Sequence, residues 1–275
     1  MSEPIIRVQG LWHVYMPMEQ LALKDVNLEI YPGEFIALVG QNGSGKTTLV
    51  KHFNGLLKPT RGAVIVNGKD TRNASVSELA STVGYVFQNP DHQIFAETVR
   101  EEVSFGPKNL GFDSNRIKET TERVLAQVGL SEYIDEMPFT LGRGQRQRLA
   151  VASVLSMEPS VLIIDEPTTG LDWGESVRMM ELVRTLNEKG HTIIMTTHNM
   201  AIVALYAKRV CVLRLGEKIL DGPTSCVFKE VEKLKTAFVS PPQLFRLSDL
   251  MQAHEFDDCT VDGVTRYFLR LLKGE

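Results

Sequence analysis

The sequence predicts an α/β fold built on a mainly parallel sheet, and three observations carry that expectation. "FIALVG" (35–40), "VLIIDEP" (161–167) and "HTIIMTTH" (191–198) contain short, continuous apolar runs of the kind strands adopt when both faces are covered. Between the last two lies a helical stretch from about Trp173 to Lys189, closed by Gly190, so the order is strand, helix, strand. The first run leads straight into "GQNGSGKTT" (40–48), which fits the pattern GxxxxGK[ST] in the strand-to-helix context that a phosphate-binding loop requires.

The remaining elements follow along the chain. "IIRVQGLWHVY" and "LALKDVNLEI" alternate or run apolar as strands do, which makes the amino-terminal part β-rich. "GKTTLVKHFNGLL" turns to helical spacing, "GAVIVNGKD" reads as a hairpin with an Asn-Gly turn, and "VGYVFQ" as a further strand. From 97 to 157 the pattern is mostly helical. In "DSNRIKETTERVLAQVGL" either Asp113 or Ser114 can cap the start, Ile117, Val124, Leu125 and Val128 share one face, and Gly129 suits the stop. The stretch from about 90 to 157 is therefore expected as a helical insertion. "RVCVLRLGEKILDG" reads as a closing hairpin. From Pro223 the spacing is helical again, with a break at Pro241-Pro242. The expected division is a nucleotide-binding domain over 1–225 and a carboxyl-terminal helical extension over 226–275.

Composition excludes several classes. At 275 residues and 43% hydrophobic, the chain can bury a large core. Thirty Lys+Arg against 34 Asp+Glu leave a net charge of −4, so no global basic field argues for nucleic acid as a partner. Cys211, Cys226 and Cys259 lie far apart with no CxxC pair, which disfavours a zinc site or a disulfide framework and fits a reducing cytoplasm. "AIVALYAKRVCVLRL" meets Lys208 and Arg209 well before the roughly 18 to 20 apolar residues of a membrane span. The expectation is a soluble chain, free to dock on a membrane protein.

The loop sets the chemistry. Gly40, Gly43 and Gly45 permit the backbone through Gln41, Asn42, Ser44 and Thr48 to fold its amides around phosphate oxygens at a helix amino terminus. Lys46 would reach the β- and γ-phosphates, and Thr47 would ligate magnesium. Asp165 ends an apolar strand where a magnesium-bound water can be held, and Glu166 is placed to polarise the water that attacks the γ-phosphate. His198 stands at the carboxyl end of the next strand, where an imidazole can hydrogen-bond a γ-phosphate. Gln88, after "VGYVF", could join the magnesium shell through its neutral oxygen. The expected metal is Mg2+, with Thr47, Gln88 and Asp165 as its ligands beside a nucleoside triphosphate.

In this order and spacing the segments resemble the nucleotide-binding subunits of ABC transporters over nearly the first 225 residues. "GQNGSGKTT" looks like the Walker A motif, "YVFQNP" the Q-loop, "LGRGQRQR" the signature, "VLIIDEP" Walker B, "TGLD" the D-loop with Asp172, and "TTH" the switch region. The resemblance implies a P-loop NTPase (RecA-like) core with an amino-terminal antiparallel β subdomain, a helical signature subdomain and a small carboxyl-terminal helical extension. It also implies that Tyr15 stacks on adenine, and that two ATPase chains pair head to tail around two ATP molecules. Each nucleotide then lies between one chain's Walker motifs and the other's signature.

"FQNPDHQIFAETVREEVSFGPKNLG" is similar to the same region in ATPases of energy-coupling factor transporters, importers of vitamins or transition-metal ions. In that subgroup the segment after the Q-loop receives the coupling helices of a transmembrane T subunit, whose arginines pair with acidic residues. Asp91, His92, Gln93 and Phe95 are the candidate contacts here. A substrate-binding membrane subunit would be engaged indirectly, with the chain peripheral on the cytoplasmic face of the membrane. "VSPPQLFRLSDLM" is also similar to the subgroup's extra helical segment.

One motif departs from the pattern. The usual LSGGQ is here Leu141-Gly142-Arg143-Gly144-Gln145, so the serine hydroxyl is missing and an arginine replaces a glycine. The Arg143 side chain must either point away or add its charge to a phosphate. Because the signature acts in trans, the departure bears on a partner's site, whether that partner is an identical chain or a paralogue. Arg146, Gln147 and Arg148 read as the exposed, polar part of the following helix. The rival readings are an ATPase of another ABC importer class and a nucleic-acid-acting ABC ATPase. The latter usually carries a long coiled-coil or zinc insertion that is not seen here.

Overall fold

The computed structural model describes residues 3–243, 245 and 246. The chain begins with β1 (Ile6–Tyr15), β2 (Gln20–Ile30) and β3 (Phe35–Val39), then α1 (Lys46–Phe53), β4 (Arg61–Val66), β5 (Lys69–Asp70) and a short α2 (Val76–Ala80). After β6 (Val83–Val86) come three helices, α3 (Val99–Asn109), α4 (Ser114–Val128) and α5 (Arg143–Leu155). The order then runs β7 (Val161–Asp165), α6 (Trp173–Glu188), β8 (Thr192–Thr196), α7 (Met200–Tyr206), β9 (Arg209–Arg214), β10 (Glu217–Pro223), α8 (Thr224–Lys229) and α9 (Val231–Thr236). The expected Asn-Gly turn forms between β4 and β5, with Asn67 and Gly68 both left-handed. Asp113, not Ser114, caps α4 by accepting from two amides, and Gly129 ends it in the left-handed conformation. Helix α2, absent from the sequence expectation, is too short for periodicity to reveal. Its mark is local, a capping box of Ser75 and Glu78.

The strands form two sheets, one antiparallel in the order β2-β1-β4-β5 and one in the order β10-β9-β3-β8-β7-β6. In the second, β9, β3, β8, β7 and β6 run parallel and β10 closes the edge antiparallel to β9. Alternate residues of its buried strands feed two cores. Ile36, Leu38, Ile163, Ile194 and Leu213 join β1, β2, β4 and α1 on one face. Ala37, Val39, Ile164, Met195 and Val212 join α4, α5 and α6 on the other. That is why these strands read as continuous apolar runs. Helices α8 and α9 extend the second core through Val227, Phe228 and Leu234. The segment beyond 246, with Cys259 and the last five residues of "VSPPQLFRLSDLM", lies outside the described residues.

A buried histidine pair sits at the junction of β1 and α1. His52 is fully buried, and burial pushes its imidazole from 6.5 down to about 4. The folded state therefore stays neutral at His52 where the unfolded chain takes up a proton, so stability is complete above pH about 6.5 and is lost as pH falls towards 4. A loss on the order of 3 kcal/mol is expected across that window, read from denaturant midpoints at stepped pH, and His52→Asn should flatten it.

Candidate nucleotide-binding site

Strand β3 is buried along its whole length and delivers the chain to Gly40, where φ is 148°. A Cβ at Gly40 would lie 2.2 Å from the Leu213 carbonyl oxygen and 2.7 Å from the Ser44 hydroxyl, so only glycine fits. Helix α1 starts from left-handed Gly45 with no side-chain cap, leaving its first-turn amides for a ligand. The Ser44 hydroxyl is buried and has no hydrogen-bond partner among the described residues. An open row of amides beside an orphaned buried hydroxyl fits a group rich in acceptor oxygens, as a phosphate chain is. Lys46 Nζ donates to the carbonyls of Gly40 at 2.7 Å and Gln41 at 3.1 Å. Burial holds its ammonium below the usual lysine range, against the opposing pull of Glu166 and Asp165.

Asp165, at the end of β7, accepts three hydroxyl hydrogen bonds. Tyr85 donates to Oδ2 at 2.7 Å, Thr47 to the same oxygen at 3.3 Å, and Thr196 to Oδ1. The carboxylate thus ties α1, β6, β7 and β8 together at one sheet edge. Burial first, and then the Asp165 charge and hydrogen bond, push the Tyr85 phenol well above its ordinary range, so it remains a donor. Sequence reasoning missed Tyr85 and Thr196. The available signal was a tyrosine inside a fully apolar strand, since a buried phenol needs a partner.

Glu166 leaves β7 with φ 49°, an unusual conformation for a non-glycine residue, and its amide donates to the Thr196 carbonyl at 3.0 Å. Its Oε2 accepts from His198 Nδ1 at 2.8 Å and from Thr169 Oγ1 at 3.4 Å, while Oε1 has no hydrogen-bond partner among the described residues. The His198 side chain is 65% exposed. Both residues were expected to face a γ-phosphate; the structure also brings them to each other. Gln88 lies two residues beyond the end of β6, is exposed, and makes no hydrogen bond to Thr47 or Asp165. Tyr15 is 38% exposed, and its hydroxyl lies 3.1 Å from Thr48 Oγ1.

The signature segment opens α5. Gly142 N donates to the Gln145 side chain at 2.8 Å, and Gly144 is packed so closely on α6 that a Cβ would sit 2.2 Å from Glu175 Oε2. Arg143 leans back on its own chain. Its Nη2 donates to the Thr169 carbonyl at 3.3 Å, and the guanidinium covers Gly170. Gly142, Arg143, Gly144 and Gln145, with Asp172 and Arg178, line a cleft of about 320 Å³. Asp172 caps α6 by accepting from the Glu175 amide at 2.8 Å.

Arg146, Gln147 and Arg148 correct the expectation of an exposed polar face. Arg146 bridges the Leu141 carbonyl and Asp91, donating at 2.6 and 2.8 Å. Gln147 is buried, and Arg148 reaches the Val128 carbonyl and Glu175. Helix α5 is packed against α3, α4 and α6, so Arg146 and Arg148 turn inward to partners, while the buried Gln147 keeps an Nε2 with no hydrogen-bond partner among the described residues.

The candidate docking residues separate. His92 is exposed, and Phe95, 61% exposed, stacks edge-on against Phe105. Asp91 is already paired with Arg146. Gln93 is engaged internally, accepting from the Phe87 amide at 3.1 Å and donating to the Ala150 carbonyl at 2.8 Å and Ser153 Oγ at 3.0 Å. No helix among the described residues is long and apolar enough to cross a membrane.

A P-loop on a parallel strand, with paired carboxylates and a histidine at the neighbouring strand ends, defines the class as a P-loop nucleoside triphosphatase. The chain belongs to the ABC transporter family, whose sequence profile matches residues 23–169. It is 52% identical over 264 residues, 94% of this chain, to a putative ABC transporter ATP-binding protein of Caldanaerobacter subterraneus, of which it spans only 46%. It is 44% identical over 247 residues to the energy-coupling factor transporter ATP-binding protein EcfA2 of Clostridium perfringens, covering 87% of both chains. Among solved structures, cbiO1 of Clostridium perfringens, part of the ABC transporter complex cbiONQ, superposes with a TM-score of 0.78 at 36% identity, covering 91% of this chain and 100% of that one. A dimeric ATP-binding cassette in a post-hydrolysis state with ADP and Pi gives a TM-score of 0.71 at 28% identity, over 80% of this chain and 98% of that one.

Proposed function

We propose that this chain is the ATP-hydrolysing motor of an energy-coupling factor type importer for a vitamin or transition-metal ion, with residues 1–225 as its ATPase domain. The observation that carries the reading is the junction at the sheet edge, where Thr47, Asp165, Glu166 and His198 meet beside the P-loop. Lys46 and the amides of 40–48 hold the β- and γ-phosphates. Thr47 and Asp165, with Gln88 brought in from its loop, are the ligands for magnesium, which when bound neutralises charge on the phosphate oxygens. Thr169 and His198 fix Glu166 through Oε2 and leave Oε1 to accept the proton of the attacking water. Oxygen adds to the γ-phosphorus as its bond to the β-phosphate oxygen breaks, and the released electron pair stays on ADP.

The partner ATPase, a second copy or a paralogue, lends its signature to this site, and this chain lends 141–145 in return. The dimeric cassette with ADP and Pi and the placing of cbiO1 in a multi-subunit complex support that assembly. On the cytoplasmic face the motor drives a T subunit through the surface around His92 and Phe95, with Asp91 available once it parts from Arg146. The test is steady-state ATP hydrolysis against chain concentration, with Glu166→Gln as the blank. A rate rising with the square of concentration supports pairing of identical chains; turnover only with a second ABC ATPase supports a heterodimer; no magnesium-dependent turnover in either case overturns the reading. Arg143→Gly is expected to change turnover several-fold while leaving ATP affinity at the chain's own P-loop within about twofold, measured by titration calorimetry.

A further inference from the structure

Resting on the reading of Tyr15 as the adenine-stacking residue, the geometry points to His13 and His52 as positioning residues for the nucleotide base. Their buried imidazole pair sets the pose of Tyr15 and fastens it to the helix that carries Lys46 and Thr47.

Tyr15 ends β1 with part of its ring exposed and is held at both ends. Its hydroxyl meets Thr48 Oγ1 at 3.1 Å, and its ring stands edge to face with His13, centroids 4.6 Å apart at 79°. Strand β1 shifts register against β2 on both sides of His13, the kind of irregularity that re-aims side chains. His13 Nδ1 lies 3.3 Å from the Lys58 carbonyl and 3.1 Å from His52 Nε2. A carbonyl only accepts, so His13 Nδ1 carries the hydrogen and His52 Nε2 receives it. The same logic assigns the hydrogen on His52 Nδ1, which lies 2.8 Å from the Thr48 carbonyl. Both imidazoles are neutral Nδ1–H tautomers, and the contacts close a ring: Tyr15 to His13, His13 to His52, His52 to Thr48, Thr48 back to Tyr15.

The surroundings make this pair hard to explain as packing. The two rings are 6% and 0% exposed, next to the buried Leu49 and Phe53 of α1, where an apolar side chain would carry no desolvation cost. His13 Nε2 is buried with no hydrogen-bond partner among the described residues, so the arrangement is not even fully satisfied. Every hydrogen bond the pair does make leads to Thr48 or to the Lys58 carbonyl that holds His13 in place. Thr48 supplies its hydroxyl to Tyr15 and its carbonyl to His52, and it adjoins Thr47. A base resting on Tyr15 and phosphates held by Lys46 and Thr47 are thereby registered to each other through one closed ring.

The experiment measures the affinity of the full chain for ATP and for inorganic tripolyphosphate, which has no base. Tyr15→Ala should weaken ATP alone. His13→Ala should weaken ATP roughly three- to tenfold and leave tripolyphosphate within about twofold. His13→Asn, which keeps a donor at the Nδ1 position, should recover most of the loss, and His13→Ala should add nothing in a Tyr15→Ala background. Where His13→Ala fails to fold, His52→Gln, which keeps an acceptor near the Nε2 position, should hold ATP affinity while His52→Leu loses it. If Tyr15→Ala weakens ATP but His13→Ala does not, or weakens both ligands alike, the positioning role is overturned and the stacking role of Tyr15 stands. If Tyr15→Ala leaves ATP affinity unchanged, the stacking reading falls and this inference with it.

Discussion

Glu166→Gln is expected to bind ATP as tightly as the unaltered chain and to hydrolyse it at least about a hundredfold more slowly. The substitution is nearly isosteric, and its amide oxygen can still accept from His198 Nδ1, the 2.8 Å contact that orients the side chain. The backbone at φ 49° is retained, because it is fixed by the Thr196 hydrogen bonds to the Glu166 amide and not by the side chain. What is lost is basicity at the free Oε1, so a bound water is no longer relieved of its proton as it attacks. Phosphate-release kinetics beside equilibrium binding separate the two effects. A variant that kept more than about a tenth of normal turnover would remove Glu166 from the base role.

Lys46→Ala should act on the other side of the same balance, lowering ATP affinity on the order of a hundredfold and abolishing measurable hydrolysis. The Lys46 ammonium is buried and, among the described residues, shares its three hydrogens between two loop carbonyls, Gly40 and Gln41. Its position depends on those contacts and on the nearby carboxylates, so a phosphate oxygen entering the loop completes its donor set. Removing it takes away a charge-assisted hydrogen bond and leaves the Asp165 and Glu166 charges facing the phosphates uncompensated. Folding should survive, since no carboxylate among the described residues is directly paired with Lys46. Unchanged ATP binding in a calorimetric titration would mean that the loop amides alone hold the phosphates.

Much of this fold was legible because its strands are buried on both faces. "FIALV", "VLIID" and "TIIMT" carry no polar face to confuse the period, and Gly129 and Gly190 mark helix ends through the same left-handed conformation the structure shows. The phosphate loop was legible because its chemistry depends on backbone sequence. Tyr85 and Thr196 were not, because their roles arise only when β6, β7 and β8 are laid side by side, and Thr169 reaches Glu166 only through the turn that follows β7. Arg146 and Arg148 misled for a related reason. Three polar residues in a row read as a solvated face, yet α5 is enclosed by neighbouring elements, and each guanidinium reaches a carboxylate and a carbonyl supplied from elsewhere in the chain.

Gln93 gives the helical part of the molecule a mechanical property. One planar amide bonds at one end to the backbone just past β6 and at the other to two groups on α5. The backbone just past β6 and helix α5 are thus held to a single side chain, although they lie more than 60 residues apart in sequence at Phe87 and Ala150 to Ser153. The turn that follows strand β6 is in this way spliced to the helical layer. Phe95, two residues further on, places the exposed aromatic pair with Phe105 directly beside that splice, so one surface patch borders both the sheet edge and the helices.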